Sequence, residues 1–187
     1  MKPIELARKL NSCEVAAEFV NQYETIEEAW AACPRGDWML WTAAKLKIDR
    51  RLLVGVLGKC ARTVQHLMKN PRSIAALDAC DKYAAGEISE KDLKAAAAAA
   101  AAAYAAAYAD AAASYAAYAA AAVYDVAAYA AAAADAAAYA AAAAAYAAAA
   151  DADADAYAAR KKNQLQTANI CREFLTAETM KIIKEKY

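Results

Sequence analysis

A long segment of almost pure alanine and tyrosine governs the secondary structure that this chain can adopt. Residues 95–159 hold 47 alanines, nine tyrosines and six aspartates in 65 positions. No glycine or proline occurs from residue 87 to residue 187. Alanine is the strongest helix former and is depleted in strands. The segment therefore predicts an all-α fold, a multi-helix bundle with closely packed Ala/Tyr-rich helices.

The length of this segment favours several helices over one. A single helix over residues 90–159 would be about 105 Å long at 1.5 Å per residue. We expect two or three antiparallel helices, with breaks near 110–114, 123–126 and 151–156, where aspartate and serine compete for backbone hydrogen bonds. Alanine allows close approach of the helices, and the tyrosine rings supply most of the buried area.

The charge of the chain is balanced overall and uneven along its length. Its 22 basic and 22 acidic residues cancel, which argues against a strongly basic nucleic-acid-binding protein. We divide the chain into an N-terminal helical part (1–94, net +2), the Ala/Tyr-rich helices (95–159, net −6) and a basic amphipathic C-terminal helix (160–187, net +4). We expect the three parts to form one continuous domain.

The sequence predicts a cytoplasmic protein with no membrane association. The start of the chain lacks the apolar run of a signal peptide. Asp110, Asp125 and Asp135 cut the apolar segment into runs of at most 15 residues, shorter than the roughly 20 residues of a membrane span. The five cysteines show no metal-binding or redox spacing, so we expect reduced thiols.

Polar residues before apolar runs predict where the short N-terminal helices begin. Side chains that can accept hydrogen bonds from the first helical turn are Asn11, Thr25, Asp37, Asp49 and Ser89. Gly86 is the predicted left-handed residue that ends a helix. Thr176 is a predicted cap for a last turn that carries Met180 and Ile183.

The most regular helical pattern lies between Asp49 and the Asn70–Pro71 break. Its apolar residues recur at a spacing of three and four: Leu53, Val56, Leu57, Cys60, Val64 and Leu67. Gly55 and Gly58 lie inside this helix and are predicted to allow close contact with a neighbour. A second amphipathic pattern after residue 160 is carried by Leu165, Ala168, Cys171 and Leu175, with Ile170 and Phe174 beside them.

The residues give no support to catalysis, a metal or a cofactor. Ser/His/Asp and Cys/His mechanisms need histidine, and the chain has only His66. The DADADA run at 151–156 resembles the start of a calcium loop, but alanine stands at position 6 and lysine at position 12. No phosphate-binding glycine loop occurs. We therefore predict a protein that is not an enzyme.

One cluster combines aromatic rings with charges, and it is the candidate partner- or ligand-binding site. All three tryptophans fall within 12 positions, and tryptophan and arginine are enriched in interface hot spots. The candidate residues are Trp30, Arg35, Asp37, Trp38, Trp41, Arg50 and Arg51. The same residues can instead form an aromatic core with Asp37 paired to an arginine, so both interpretations stay open.

Three segments carry a family resemblance: NSCEVAAEFV, ETIEEAWAACPRGDWMLWTAAKL and DRRLLVGVLGKCAR. With the alanine tract and the basic AARKKNQLQTANICREFL helix, the chain resembles an alanine-rich immunity-protein family found in polymorphic-toxin loci and phage genomes. The resemblance implies neutralisation of a toxin or other effector by stoichiometric binding. An acidic middle segment would attract a basic toxin and speed the encounter.

Two other functions stay open, one of which also acts by binding. The protein can be a phage-encoded inhibitor of a host defence system, which binds a defence protein or sequesters a nucleotide signal by stacking on tryptophan or tyrosine with arginine on phosphate. It can also be a structural protein that self-associates through its Ala/Tyr faces. The sequence does not fix the oligomeric state.

Overall fold

The computed structural model describes residues 1–68, 70–106 and 156–187. These residues form eight α-helices and one 3₁₀ turn, Gln65–Leu67, and contain no strand, so the predicted all-α fold is confirmed. The helices are α1 (Pro3–Lys9), α2 (Glu14–Val20), α3 (Ile26–Ala32), α4 (Gly36–Lys45), α5 (Arg50–Arg62), α6 (Pro71–Ala85), α7 (Glu90–Ala106) and α8 (Ala156–Lys186). The predicted helix breaks near 110–114 and 123–126, and residues 151–155 of the third predicted break, lie outside the described residues.

The hydrophobic core lies where α8 packs against α4 and α5. Ala168, Cys171 and Leu175 on α8 are fully buried, as are Leu40 on α4 and Leu57 on α5. Helix α5 also packs on α6, and α6 packs on α7. The predicted amphipathic face of α8 is therefore confirmed at these three positions, whereas Leu165 is 47% exposed.

Glycines bring the core helices close together. A Cβ atom at Gly55 would lie 2.9 Å from the Cβ of Ala84, and one at Gly58 would lie 2.9 Å from the Cβ of Cys80. Both distances are too short for ordinary side-chain contact, so α6 can pack this closely only against glycine. The prediction for these two glycines is confirmed.

Four of the predicted helix signals are confirmed. Thr25 and Glu28 form a reciprocal capping box at the start of α3. The Asp49 carboxylate accepts a hydrogen bond from the Leu52 backbone N–H at the start of α5. The Ser89 hydroxyl accepts one from the Asp92 backbone N–H at the start of α7. Gly86 ends α6 with a φ of 81°, in the left-handed region that glycine adopts without strain.

Three predicted caps are wrong. Asn11 has a left-handed backbone (φ 57°) just after α1, a conformation that asparagine tolerates, and α2 begins after Cys13 with no side-chain cap. Asp37 lies inside the first turn of α4, which begins at Gly36, and its carboxylate pairs with Arg35. Thr176 caps no turn: α8 continues unbroken to Lys186, and the Thr176 hydroxyl donates to the Arg172 carbonyl.

The helix that begins after Asp49 is shorter than predicted. Helix α5 ends at Arg62, and a 3₁₀ turn follows before Asn70 caps α6. The Thr63 hydroxyl donates to the Cys60 carbonyl at 2.7 Å. Such local bonds compete with the helical backbone bonds. Among the described helices, none combines the length and apolar character needed to cross a bilayer.

Candidate functional site

An apolar pocket of about 550 Å³ lies between helices α1 to α4. All three tryptophans of the chain border it, so we call it the tryptophan pocket. Leu6 and Leu10 of α1 form one side, and Phe19 of α2 forms another. The remaining walls come from α3 and α4. The pocket has the size and apolar lining of a small-molecule or side-chain binding site.

Helix α8 holds the junction of α3 and α4 in place from behind. The indole N–H of Trp30 donates to the Thr176 hydroxyl at 3.0 Å, and the Arg172 guanidinium donates to the Cys33 carbonyl at 2.8 Å. Gly36 lies against Thr167 so closely that a Cβ at Gly36 would be 2.7 Å from the Thr167 carbonyl carbon. These contacts fix the start of α4 and, with it, the two tryptophans that α4 carries.

The tryptophans differ in their burial and therefore in what they can do. Trp30 is buried (7% exposed) and uses its indole nitrogen in the core, as the structural interpretation predicts. Trp38 and Trp41 lie three positions apart on one face of α4 and are only partly buried. Their ring faces are the aromatic surface that the pocket offers to a ligand.

Arg35, Asp37 and Trp38 form a rigid unit beside the pocket. The Arg35 guanidinium donates two hydrogen bonds to the Asp37 carboxylate, one of them at 2.9 Å, and lies 4.7 Å from the centroid of the Trp38 ring. Hydrogen bonding with Asp37 raises the pKa of Arg35. Since bidentate pairs are among the strongest charge-assisted contacts, the Asp37 carboxylate is neutralised and Trp38 is held in orientation.

Helix α2 closes the outer side of the pocket and is the least anchored wall. None of its residues is fully buried, and Val15 is 62% exposed. It packs mainly on α1, and the ring centroid of its Phe19 lies 5.8 Å from that of Trp38 and 5.2 Å from that of Tyr23. A helix with no fully buried residue can move more easily than α3 or α4.

The five thiols of the chain are free, and one of them is accessible at the pocket. Cys13 borders the pocket and is exposed, whereas Cys33, Cys60, Cys80 and Cys171 are buried. Burial raises the pKa of Cys33 to about 11 and that of Cys80 to about 12. The pKa of Cys171 is also raised, by its hydrogen bond with Cys60 and by burial. Cys13 is therefore a natural chemical reporter of the pocket.

The candidate arginines of α5 lie outside the tryptophan pocket. Arg50 pairs with Glu90 at 3.3 Å. The Arg51 guanidinium donates to the Tyr83 carbonyl at 2.7 Å and lies 4.8 Å from the centroid of the Tyr83 ring. Arg51 borders a separate, shallow groove between α5 and Phe174 of α8. The structure thus groups the other five predicted residues and separates these two from them.

Sequence reasoning missed most of the residues that line the pocket, among them Cys13, Phe19 and Lys45. Lys45 lies at the end of α4, with its ammonium nitrogen 5.3 Å from the centroid of the Trp41 ring. Its spacing of four from Trp41 is a signal that could have placed it on the tryptophan face. Phe19 and Cys13 carry no such signal, since the turn that brings α2 over α4 is not encoded by a local pattern.

The described residues hold no group of three or more metal-ligating side chains, and His66 is an exposed residue of the 3₁₀ turn.

Comparison of the chain with protein-family models, curated proteins and solved structures finds no match. The resemblance to an immunity-protein family therefore stays a prediction.

Proposed function

We propose that this protein acts by contact: it binds a toxin or other effector protein in a stoichiometric complex and neutralises it without catalysing a reaction. The observation that supports this role is the tryptophan pocket, where all three tryptophans of the chain meet beside the Arg35–Asp37 pair. Tryptophan and arginine contribute a large share of the binding energy at protein interfaces. The immunity-family resemblance of the sequence points to the same class of function.

The pocket provides the two properties that tight contact needs. Its apolar walls can receive an apolar side chain of the effector, and full burial of one such side chain contributes about 1.5–3 kcal/mol. Because α8 braces the start of α4 and Arg35 orients Trp38, little side-chain freedom remains to be lost on binding. Preorganised surfaces bind more tightly for this reason.

The proposal is tested by capture of an effector with two matched variants. Trp41→Ala removes a partly buried aromatic ring from the pocket, and Phe174→Ala removes a comparable ring from the separate groove on α8. Each ring lies beside a lysine. We expect a one-to-one complex by size-exclusion chromatography with light scattering, weakened about thirtyfold or more by Trp41→Ala, which corresponds to about 2 kcal/mol, and unchanged by Phe174→Ala.

Two results would contradict the effector-binding proposal. One is a complex whose affinity is the same for wild type and Trp41→Ala. The other is substrate turnover by the purified protein that depends on Trp38 or Trp41, because this would make the pocket an active site. A melting curve for each variant shows whether a loss of binding is only a loss of fold.

A second candidate is the sequestration of a small ligand, as expected of a phage-encoded inhibitor that removes a defence signal. The volume of the tryptophan pocket, about 550 Å³, favours it, because small-molecule sites span about 300–1,000 Å³. A nucleotide signal fits poorly, since Arg50 and Arg51 lie away from the tryptophans and Arg35 is engaged with Asp37. Native mass spectrometry of the purified protein tests for a retained ligand.

Self-association through Ala/Tyr faces stays a prediction, because those faces lie outside the described residues. Sedimentation over a range of protein concentrations separates it from the effector-binding role. A monomer at all concentrations is compatible with effector binding and contradicts a self-assembling scaffold.

A further inference from the structure

The charges that border the tryptophan pocket do not balance. Of the described side chains that border it, only Asp37 and Lys45 are charged. Arg35 neutralises the Asp37 carboxylate. Among the described residues, no carboxylate pairs with Lys45, whose ammonium nitrogen lies 5.3 Å from the centroid of the Trp41 ring. The pocket therefore presents an apolar interior with one uncompensated positive charge at its edge.

This arrangement selects for one kind of ligand. An apolar body gains free energy by leaving water for the walls formed by Phe19, Trp38 and Trp41. A single anionic group can pair with the Lys45 ammonium, whereas a cationic group would meet repulsion. A ligand with several phosphates would leave most of its charge without a partner, at a large desolvation penalty.

We infer that the tryptophan pocket binds a small carboxylate with an apolar body, whose carboxylate group pairs with Lys45 and whose body packs on Trp38 and Trp41. This inference goes beyond effector binding, because it assigns a small-molecule ligand class to the site. For the sequestration role, it names a small apolar carboxylate as the ligand in place of a nucleotide. It commits to a free small molecule as the occupant, so binding of peptides alone is a contrary result.

Decanoate, decan-1-ol and decyltrimethylammonium are suitable probes, because they share an alkyl chain and differ in head-group charge. Decanoate and decyltrimethylammonium are titrated below their critical micelle concentrations and decan-1-ol below its solubility limit. Tryptophan fluorescence is the readout, because all three tryptophans border the pocket. We expect saturable binding of decanoate, about tenfold tighter than that of decan-1-ol. Decyltrimethylammonium is expected to bind more weakly than decan-1-ol.

Two lysine variants separate the ion pair from general effects of charge. Lys45→Met keeps an apolar stem of similar length and removes the ammonium group. Lys59→Met is the matched control, because the Lys59 ammonium lies 4.7 Å from the centroid of the Phe174 ring on the separate groove. Lys45→Met should weaken decanoate binding about tenfold and leave decan-1-ol binding unchanged. Lys59→Met should change neither.

Protection of Cys13 from alkylation by iodoacetamide gives a second readout on the same proteins. Cys13 borders the pocket and is exposed, so decanoate should slow its alkylation in wild type and in Lys59→Met. In Lys45→Met this protection should require about tenfold more decanoate. Because alkylation and fluorescence report on different walls, agreement between them shows that the variants keep the pocket.

The inference is overturned if decanoate does not bind saturably, if decan-1-ol binds as tightly as decanoate, or if Lys45→Met has no effect. It is equally overturned if Lys59→Met is the variant that weakens binding, or if only peptides bind. These failures are distinct from failure of the effector proposal. Effector capture that depends on Trp41 can be present in a protein that binds no decanoate, and the reverse also holds.

Discussion

Burial separates the five cysteines into one reactive thiol and four inert ones. The thiolate is the nucleophile, so a raised pKa lowers the reactive fraction at any given pH. At pH 8 we expect iodoacetamide to modify Cys13 rapidly, whereas Cys33 and Cys80, with pKa values of about 11 and 12, react only after unfolding. Mass spectrometry of a time course should show one fast modification per chain.

The control for this prediction is Cys13→Ser, in which the fast modification should disappear. Two or more fast modifications in wild type would mean that the buried thiols around α8 are accessible, and the packing of α3, α4 and α8 described above would then be wrong.

Gly36 is the residue whose small size most directly positions the tryptophans. A Cβ at this position would lie 2.7 Å from both the carbonyl carbon and the Cβ of Thr167, so α4 or α8 would have to shift. We expect Gly36→Ala to lower the free energy of unfolding by about 3 kcal/mol. Urea denaturation followed by tryptophan fluorescence measures this change.

Gly58→Ala is the matched control in the same experiment. Its added methyl would lie 2.9 Å from the Cβ of Cys80, so α6 has to shift, but the higher helix propensity of alanine, about 1 kcal/mol, offsets part of the cost. The expected loss is therefore smaller than for Gly36→Ala, about 1–2 kcal/mol. A larger loss for Gly58→Ala than for Gly36→Ala would show that α8 does not brace α4 in the way described.

At the scale of helices, α2 is much less buried than the helices of the core. It has no fully buried residue, whereas α5 has eight. Few buried contacts allow local opening at low free energy. We expect the amides of Glu14–Val20 to exchange with deuterium much faster than those of Arg50–Arg62, and a ligand in the tryptophan pocket to slow exchange in α2 selectively. Hydrogen exchange with mass spectrometry measures both effects.

Equal protection of α2 and α5 in the free protein would contradict this account of the outer wall. Ligand-induced protection confined to α5 or α6 would place the binding site elsewhere. The separate groove beside Phe174 would then become the candidate.

Elements that depend on neighbours in sequence could be predicted, and those that depend on distant contacts could not. The capping box of Thr25 and Glu28 and the left-handed Gly86 are local, and both were found. Asp37 was misread as a cap because aspartate is favoured both at the cap position and in the first helical turn, where Asp37 lies. The end of α5 was misplaced because Thr63 interrupts an apolar pattern that otherwise continues.

At the scale of the whole molecule, the sequence identified the aromatic cluster but not its boundaries. The three tryptophans, Trp30, Trp38 and Trp41, are close together in the sequence, and in the structure they border one pocket. The same nearness in sequence grouped Arg50 and Arg51 with them, but in the structure these two arginines contact Glu90 and Tyr83 and lie away from the tryptophans. Two hydrogen bonds from Trp30 to Thr176 and from Arg172 to Cys33 join α8 to the junction of α3 and α4. Each joins residues more than 130 positions apart, so no local sequence pattern could predict it.

The central claim is that the tryptophan pocket is the surface through which this protein works. Photo-crosslinking from the pocket tests it most directly: benzophenone maleimide is attached to Cys13 and, for comparison, to an Ala85→Cys, Cys13→Ser variant whose label lies at the exposed end of α6. We predict a one-to-one adduct with the effector from Cys13 and none from position 85. An adduct from position 85 alone, or equal yields from both, would contradict the claim.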